Sequence, residues 1–212
     1  MKDLVIIGAG GFGREVAWLV DDINEVNKEW NLLGFIDENE DNHGKVLNGY
    51  KILGGFDFLE GKKDIFYVCA IGNAKVKKVI VEEKCSKYKI KPATLIHPSV
   101  IISKKHNKID EGCVVCAGSI ITVNTKIHKH VIVNLDCTIG HDVSIEDYVT
   151  IYPSVNVSGN CNIGKCVEIG TGTQVIQGKN IGEYSIVGAG SVVINNIEKN
   201  RTVVGVPAKV IK

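Results

Sequence analysis

Between Ile109 and Val193 every sixth residue is Ile or Val, fifteen positions in succession without a slip. Four places after each anchor runs a second series, Cys113 to Ile197, in which fourteen residues are small or β-branched and only Lys179 is not. Side chains alternate along an extended backbone, so an anchor and the residue four after it point to the same side. The six-residue unit therefore reads as a short strand and a corner, the anchor inward and its small partner fitted where the chain turns. Three units close a triangular coil of eighteen residues. Stacked coils bury the Ile/Val column and pair their backbones, each coil depending on its neighbours. The pattern predicts an all-β parallel β-helix over residues 93–198. Ile96 and Ile102 begin an imperfect first coil, and one extra residue between Ser103 and Asn107 shifts the register before Ile109. Residues 199–212 are expected to form a C-terminal tail.

Residues 1–92 follow another rhythm. An apolar run at 4–7 leads into Gly8-Ala9-Gly10-Gly11-Phe12-Gly13, and Val16, Leu19, Val20 and Ile23 then recur at helical spacing over 14–24. Strand, glycine-rich turn and helix N-terminus make a site for a phosphate or other anion, because glycines let the backbone approach and unpaired helical N–H groups face the ligand. A second strand over 30–36 ends at Asp37-Glu38, with Asp37 near the place where dinucleotide enzymes carry their ribose-binding acid. Residues 43–51 read as a polar connection with a turn at Asn48-Gly49. A third strand over 64–73 ends at Gly72. The stretch 74–87 predicts a basic amphipathic helix with Val76, Val79, Ile80 and Lys84 in register and its lysines solvated. Alternating strands and helices imply a small Rossmann-like α/β domain with a parallel sheet. Its ligands would sit beyond the strand C-termini, where residues 8–13, Asp37 and Gly72 converge. Its length suffices for one mononucleotide-binding half and not two.

Composition narrows the field. With 25 basic and 24 acidic residues in 212, no charge excess points to nucleic acid, and no apolar run approaches a membrane span. The first residues lack a signal peptide's length and cleavage site, so a cytoplasmic setting and reduced thiols are expected for the seven cysteines. Cys113 and Cys116 form a C-x-x-C in sequence, but one points inward and the other outward, so the pair diverges and no metal is expected there. Cys137 and Cys161 read as small inward core fillers. Of six histidines, His43 and His106 lie in polar loops and His97 is held extended before Pro98. His128 and His130 flank Lys129 on outward positions without a third metal ligand. His141 stands two places after the anchor Ile139, hence outward, beside Asp142. A carboxylate next to an imidazole stabilises its protonated form, which suits a general base near neutral pH.

Taken together, residues 8–13, Phe35-Ile36-Asp37-Glu38, Ala70-Ile71-Gly72-Asn73, Ile96-His97-Pro98-Ser99, Gly140-His141-Asp142 and Gly205-Val206-Pro207-Ala208-Lys209 resemble the bacterial hexapeptide acyltransferases that acetylate sugars. The layout is similar to nucleotide-linked amino-sugar N-acetyltransferases and sialic acid O-acetyltransferase relatives, enzymes of polysaccharide biosynthesis. The resemblance implies a left-handed β-helix, a homotrimer, and acetyl-CoA held as co-substrate, without a metal, between neighbouring β-helices. It maps the catalytic base onto His141 and its supporting acid onto Asp142. Acetyl-CoA contacts map onto Thr150, Thr171 and Ala189, with Gly159 nearby. Contacts to the nucleotide-linked sugar map onto Gly10, Gly11, Phe12, Asp37, Glu38 and Gly72. Phe12 stands where several amino-sugar enzymes carry His, and Asp142 where others carry Glu. Two other readings stay open: an NAD(P)-linked enzyme using the glycine-rich turn and Asp37, and a non-catalytic trimeric scaffold.

Overall fold

The computed structural model describes residues 1–103 and 105–212. Strand β1 (Lys2–Ile7) runs into the glycine-rich turn and helix α1 (Gly11–Val26), and β2 (Trp30–Ile36) returns parallel beside β1. A hairpin follows, β3 (Val46–Leu47) and β4 (Tyr50–Gly54), turning through Asn48 and Gly49, both at positive φ. A polar connection is expected over residues 43–51, whereas β4 adds a parallel strand to β2. Strand β5 (Phe66–Cys69), helix α2 (Ala74–Val79) and β6 (Lys91–Pro92) complete a six-stranded sheet of order β3-β4-β2-β1-β5-β6. Gly13 packs α1 against β1 so closely that a Cβ would overlap the carbonyl of Gly8.

From β7 (Leu95–Ile96) onward the chain winds as a three-sided parallel β-helix of two-residue strands. Its first face runs from Leu95–Ile96 through Ile186–Val187, its second from Ile101–Ile102 through Val192–Val193, and its third from Lys108–Ile109 through Asn180–Ile181. Val114 pairs with Ile132 and Ile132 with Thr150, the eighteen-residue coil of the repeat. On the first coil the offset is one residue longer, Ile101 to Ile120, and reverts at Lys108 to Lys126. The extra residue thus falls between Ile102 and Lys108, a stretch that includes Lys104, outside the described residues. The anchors from Ile121 to Val193 form one buried column with Cys113, Cys137 and Cys161, each large aliphatic contributing roughly 1.5–3 kcal/mol. Corners turn through a left-handed residue three places after the anchor, such as Asn124, Asp142 or Asn160, as a type II turn requires. Lys179 leaves the ladder intact, its carbonyl accepting from Asn162 N at 3.0 Å, and its side chain is partly exposed. Beyond the repeat, Thr202–Val204 extends the first face and pairs antiparallel with Lys209–Val210.

The α/β domain lies against the first face. Val114 and Ile132 point out of the β-helix, yet both are buried, in one cluster with Leu4, Val16 and Val20. Cys116 joins that cluster while Cys113 belongs to the column, so the C-x-x-C sulfurs are on opposite sides of the sheet. His97 Nε2 meets Asp22 Oδ2 of α1 at 2.7 Å. Two expectations reverse at this interface. Lys77 is buried, its Nζ donating to Thr150 Oγ1 at 2.8 Å and to the Val149 carbonyl at 3.2 Å, while Val76 and Val79 are exposed. His130, expected outward, lies stacked between Tyr67 of β5 and Tyr148.

Candidate active site

The second face has a corner at each edge, and the candidate residues divide between them. At the edge shared with the third face, Gly140-His141-Asp142 follows the strand Thr138–Ile139. Inward Ile139 and Val143 hold the corner, and Asp142 supplies its left-handed residue at φ 59°. The imidazole is 49% exposed, and its Nδ1 lies 2.8 Å from Asp142 Oδ2. The other carboxylate oxygen accepts from Asn124 Nδ2, one coil earlier, at 3.2 Å. Hydrogen bonds from His141, then from Asn124, hold the Asp142 carboxyl below its ordinary range. The acid is thereby kept ionised, and Nδ1 is occupied, which leaves Nε2 for an external partner.

Gly159, one coil later, lies under that ring: a Cβ there would overlap Nε2 and stand 2.5 Å from Cε1. Gly140 in turn admits Gly159 N, which would be 2.6 Å from a Cβ at 140. The corner therefore uses two missing side chains to seat one imidazole. A hollow of about 230 Å³ lined by Thr122, Thr138, Gly140 and Ser158 opens on one side. Another of about 480 Å³, lined by Asn124, Lys126, Asp142 and Ser144, opens on the other.

Thr171 and Ala189 occupy the opposite edge of the second face, both exposed and stacked one coil apart. Gly170 brings the two coils together there, since a Cβ on it would stand 2.5 Å from Ala189 N. They share no corner with His141. Thr150 departs from expectation: it is 1% exposed on the first face, with its hydroxyl taken by Lys77. It holds the domains together and is closed to a direct acetyl-CoA contact.

The glycine-rich turn, Asp37 and Gly72 meet at the C-terminal edge of the small sheet, because β1, β2 and β5 run parallel. Gly10 precedes α1 with no side-chain cap and open space around its Cα, and Gly11 is equally accessible. The first amide groups of a sixteen-residue helix are thus available to an anionic ligand. Asp37 closes the turn, Oδ2 accepting from Ala9 N at 3.1 Å and Oδ1 from Asn39 N at 3.0 Å. Glu38 Oε1 accepts from Phe56 N at 3.0 Å. Phe12 is half-buried against the cluster beneath α1.

Three residues carry no site signal in the sequence, two at this edge and one at the His141 corner. Tyr152 O–H donates to Glu168 Oε2 at 3.3 Å, and Glu168 Oε1 accepts from Ala74 N at the start of α2, at 3.1 Å. Asn124 was an ordinary corner residue until the eighteen-residue stacking placed it against Asp142. The thiols of Cys137 and Cys161 are fully buried.

The "PglD N-terminal domain" family model matches residues 3–84. The acetyltransferase domain of PglB from Neisseria gonorrhoeae is 32% identical, with all of both chains covered and a TM-score of 0.89; it has also been solved with acetyl coenzyme A. PerB from Caulobacter crescentus, solved with CoA and GDP-perosamine, is 25% identical over 100% of this chain and 98% of its own, TM-score 0.86. A serine acetyltransferase from Buchnera aphidicola is 42% identical over 83 residues, 35% of this chain and 32% of the relative. The chain thus spans about a third of the length of the first curated relatives it matches. Among the described residues no helix is long and apolar enough to cross a membrane. The likeness that extends over both domains is to the sugar enzymes, and the chain belongs to the hexapeptide-repeat, left-handed β-helix family of sugar acetyltransferases.

Proposed function

We propose that the protein transfers an acetyl group from acetyl-CoA to an amine or hydroxyl of a nucleotide-linked sugar, with His141 as general base. The observation that carries this reading is the His141–Asp142 pair: Nδ1 is bound to an ionised carboxylate and Nε2 is directed out of the corner over Gly159. The acceptor's lone pair attacks the thioester carbonyl while its proton passes to Nε2. The Gly159 N–H, which has no backbone acceptor among the described residues, is the donor proposed for the oxyanion, because Gly159 lies under the ring. Collapse expels the CoA thiolate, which takes the proton back from the imidazolium. Every step is direct, because the cysteines near the corners are buried core thiols, and holding the two substrates together supplies much of the rate. Asp142 keeps the imidazole in one tautomer by holding Nδ1.

The division of the site between two corners of one chain supports a homotrimer. If the second face turns toward a threefold axis, the edge of one copy bearing His141 meets the edge of the next bearing Thr171 and Ala189. A heterologous contact of this kind closes into a ring. Ile101, Ile120 and Val123, exposed along this face and its corner, are the apolar surface such packing would cover. Acetyl-CoA would lie along that seam, touching Thr171 and Ala189 on one copy and Gly159 on the other. The sugar nucleotide would rest on Gly10, Gly11, Phe12, Asp37, Glu38 and Gly72. PerB bound to CoA and GDP-perosamine, and the PglB domain bound to acetyl coenzyme A, support the two ligand classes. A cytoplasmic place in polysaccharide biosynthesis suits a nucleotide-sugar substrate. The test is His141→Ala assayed by thiol release from acetyl-CoA with GDP-perosamine and other nucleotide sugars as acceptors. Turnover should fall by a factor of about 100 or more while acetyl-CoA binding persists. Wild-type turnover in the variant would refute the assignment.

A further inference from the structure

The sugar end of such an acceptor would fall where the α/β domain meets the β-helix. The turn after β5 approaches the β-helix at Gly72. A Cβ at that position would stand 3.3 Å from the Tyr152 hydroxyl oxygen and 3.6 Å from its ring. Tyr152 is the first corner residue after the strand Thr150–Ile151, partly exposed. In the two coils that follow, the same corner position is Gly170 and Gly188, each directly before Thr171 or Ala189. The phenol therefore stands where the nucleotide-sugar edge of the small domain meets the edge proposed for acetyl-CoA.

Its orientation is fixed from behind. Glu168, on the neighbouring strand of the first face, divides its carboxylate between two partners: Oε2 accepts from the Tyr152 hydroxyl and Oε1 from the Ala74 amide. Lys77, three residues farther along α2, is bonded to Thr150 Oγ1 and the Val149 carbonyl. Glu168 and Lys77 thus tie α2 to the coil that carries Tyr152. A hydroxyl that donates to a carboxylate keeps a lone pair free, so it can accept from a sugar hydroxyl or amine. Burial, then the charge of Glu168, pushes the Tyr152 phenol up to about 12, so it stays protonated and keeps this donor direction near neutral pH.

We infer that Tyr152 is a contact for the sugar moiety of the acceptor, accepting a hydrogen bond from a ring substituent, and that Glu168 is the positioning residue that aims it. This rests on the acetyl-transfer reading in taking the ligand of the Gly72 edge to be a nucleotide-linked sugar. Its test needs no chemistry.

Calorimetric titrations of the full chain, wild type and Tyr152→Phe, would compare GDP-perosamine and UDP-N-acetylglucosamine with GDP and UDP alone. Loss of one hydrogen bond to the sugar should weaken the nucleotide sugar that binds the wild type by about three- to tenfold, with the free nucleotide unchanged. Glu168→Gln should move affinity in the same direction, because an amide presents a donor to the phenol on one side. The variants' melting temperatures report whether the fold is kept. If Tyr152→Phe binds the nucleotide sugar as tightly as the wild type, or loses sugar and free nucleotide affinity alike, the assignment is overturned. A wild type that binds none of the four probes overturns the acetyl-transfer reading itself, a different failure from an unaltered variant.

Discussion

Acidifying the protein from pH 6.5 to pH 4 should cost it stability through one side chain, His130. Its ring is stacked between Tyr148, at 5.4 Å between centroids and 5° between planes, and Tyr67 of the α/β domain, at 6.1 Å and 17°. Among the described residues, buried Nδ1 has no hydrogen-bond partner. Burial above all, and then the positive charge of Lys77, push the imidazole down to about 4 from its ordinary 6.5, with Glu111 and Asp147 opposing. Between these values the unfolded chain binds a proton that the folded chain refuses, so stability falls as pH falls through the window and the loss is complete below pH 4. A displacement of about 2.5 pH units corresponds to roughly 3 kcal/mol. Carboxylates titrate over part of the same range, so the informative quantity is a difference. Urea unfolding at half-unit steps from pH 7 to pH 3.5 would be compared for wild type and His130→Phe, which keeps an aromatic ring between the tyrosines. The wild-type curve should drop by roughly 3 kcal/mol more than that of the variant. Parallel curves would show that His130 is free to protonate in the folded protein, and the buried, neutral imidazole would be wrong.

Other perturbations probe other parts of the structure. Lys77 is pushed down to about 8 by burial; the unfolded chain alone stays protonated from there to 10.5, so wild-type stability should rise with pH across that window, a slope that Lys77→Met should lack in urea titrations. Gly159→Ala places a methyl group against the His141 ring; kcat should fall by a factor of about 100 with little change in melting temperature, given the cost of small misplacements in reacting geometry. Asn124→Ala frees one oxygen of Asp142, and kcat/KM should drop about three- to tenfold with acetyl-CoA affinity intact. Ile139→Ala, in the fully buried column, should cost about 2 to 5 kcal/mol in urea unfolding.

The β-helix was legible because its inward positions are set by a local period that no distant contact needs to supply. The corner geometry came with it, and placed His141 and Asp142 outward together. What the sequence hid lies almost wholly on the first face. Thr150, His130 and Lys77 read as solvent-facing residues, and all three are buried because the α/β domain covers that side. A signal was present: the outward residues Val114 and Ile132 of the first face are apolar, while Lys126, Ser144 and Asn162 of the third are polar. Helical periodicity misled over α2, where Val76 and Val79 suggested the buried side and an ammonium with two oxygen partners took it. The hairpin of β3 and β4 has little periodic signal, because β3 spans only two residues beside the Asn48-Gly49 turn. Tyr152, Glu168 and Asn124 carry no motif, and their roles follow from which coil stacks on which.

The claim on which the mechanism most depends is that His141 of one copy works against the Thr171–Ala189 edge of another. His141→Ala removes one half of that seam, and Ala189→Trp obstructs the other. Each variant alone should be inactive. Mixed in equal amounts and allowed to exchange subunits, they should regain about a quarter of wild-type activity, because one seam in four then joins two intact halves. A mixture that exchanges subunits and stays inactive would contradict a site shared between copies.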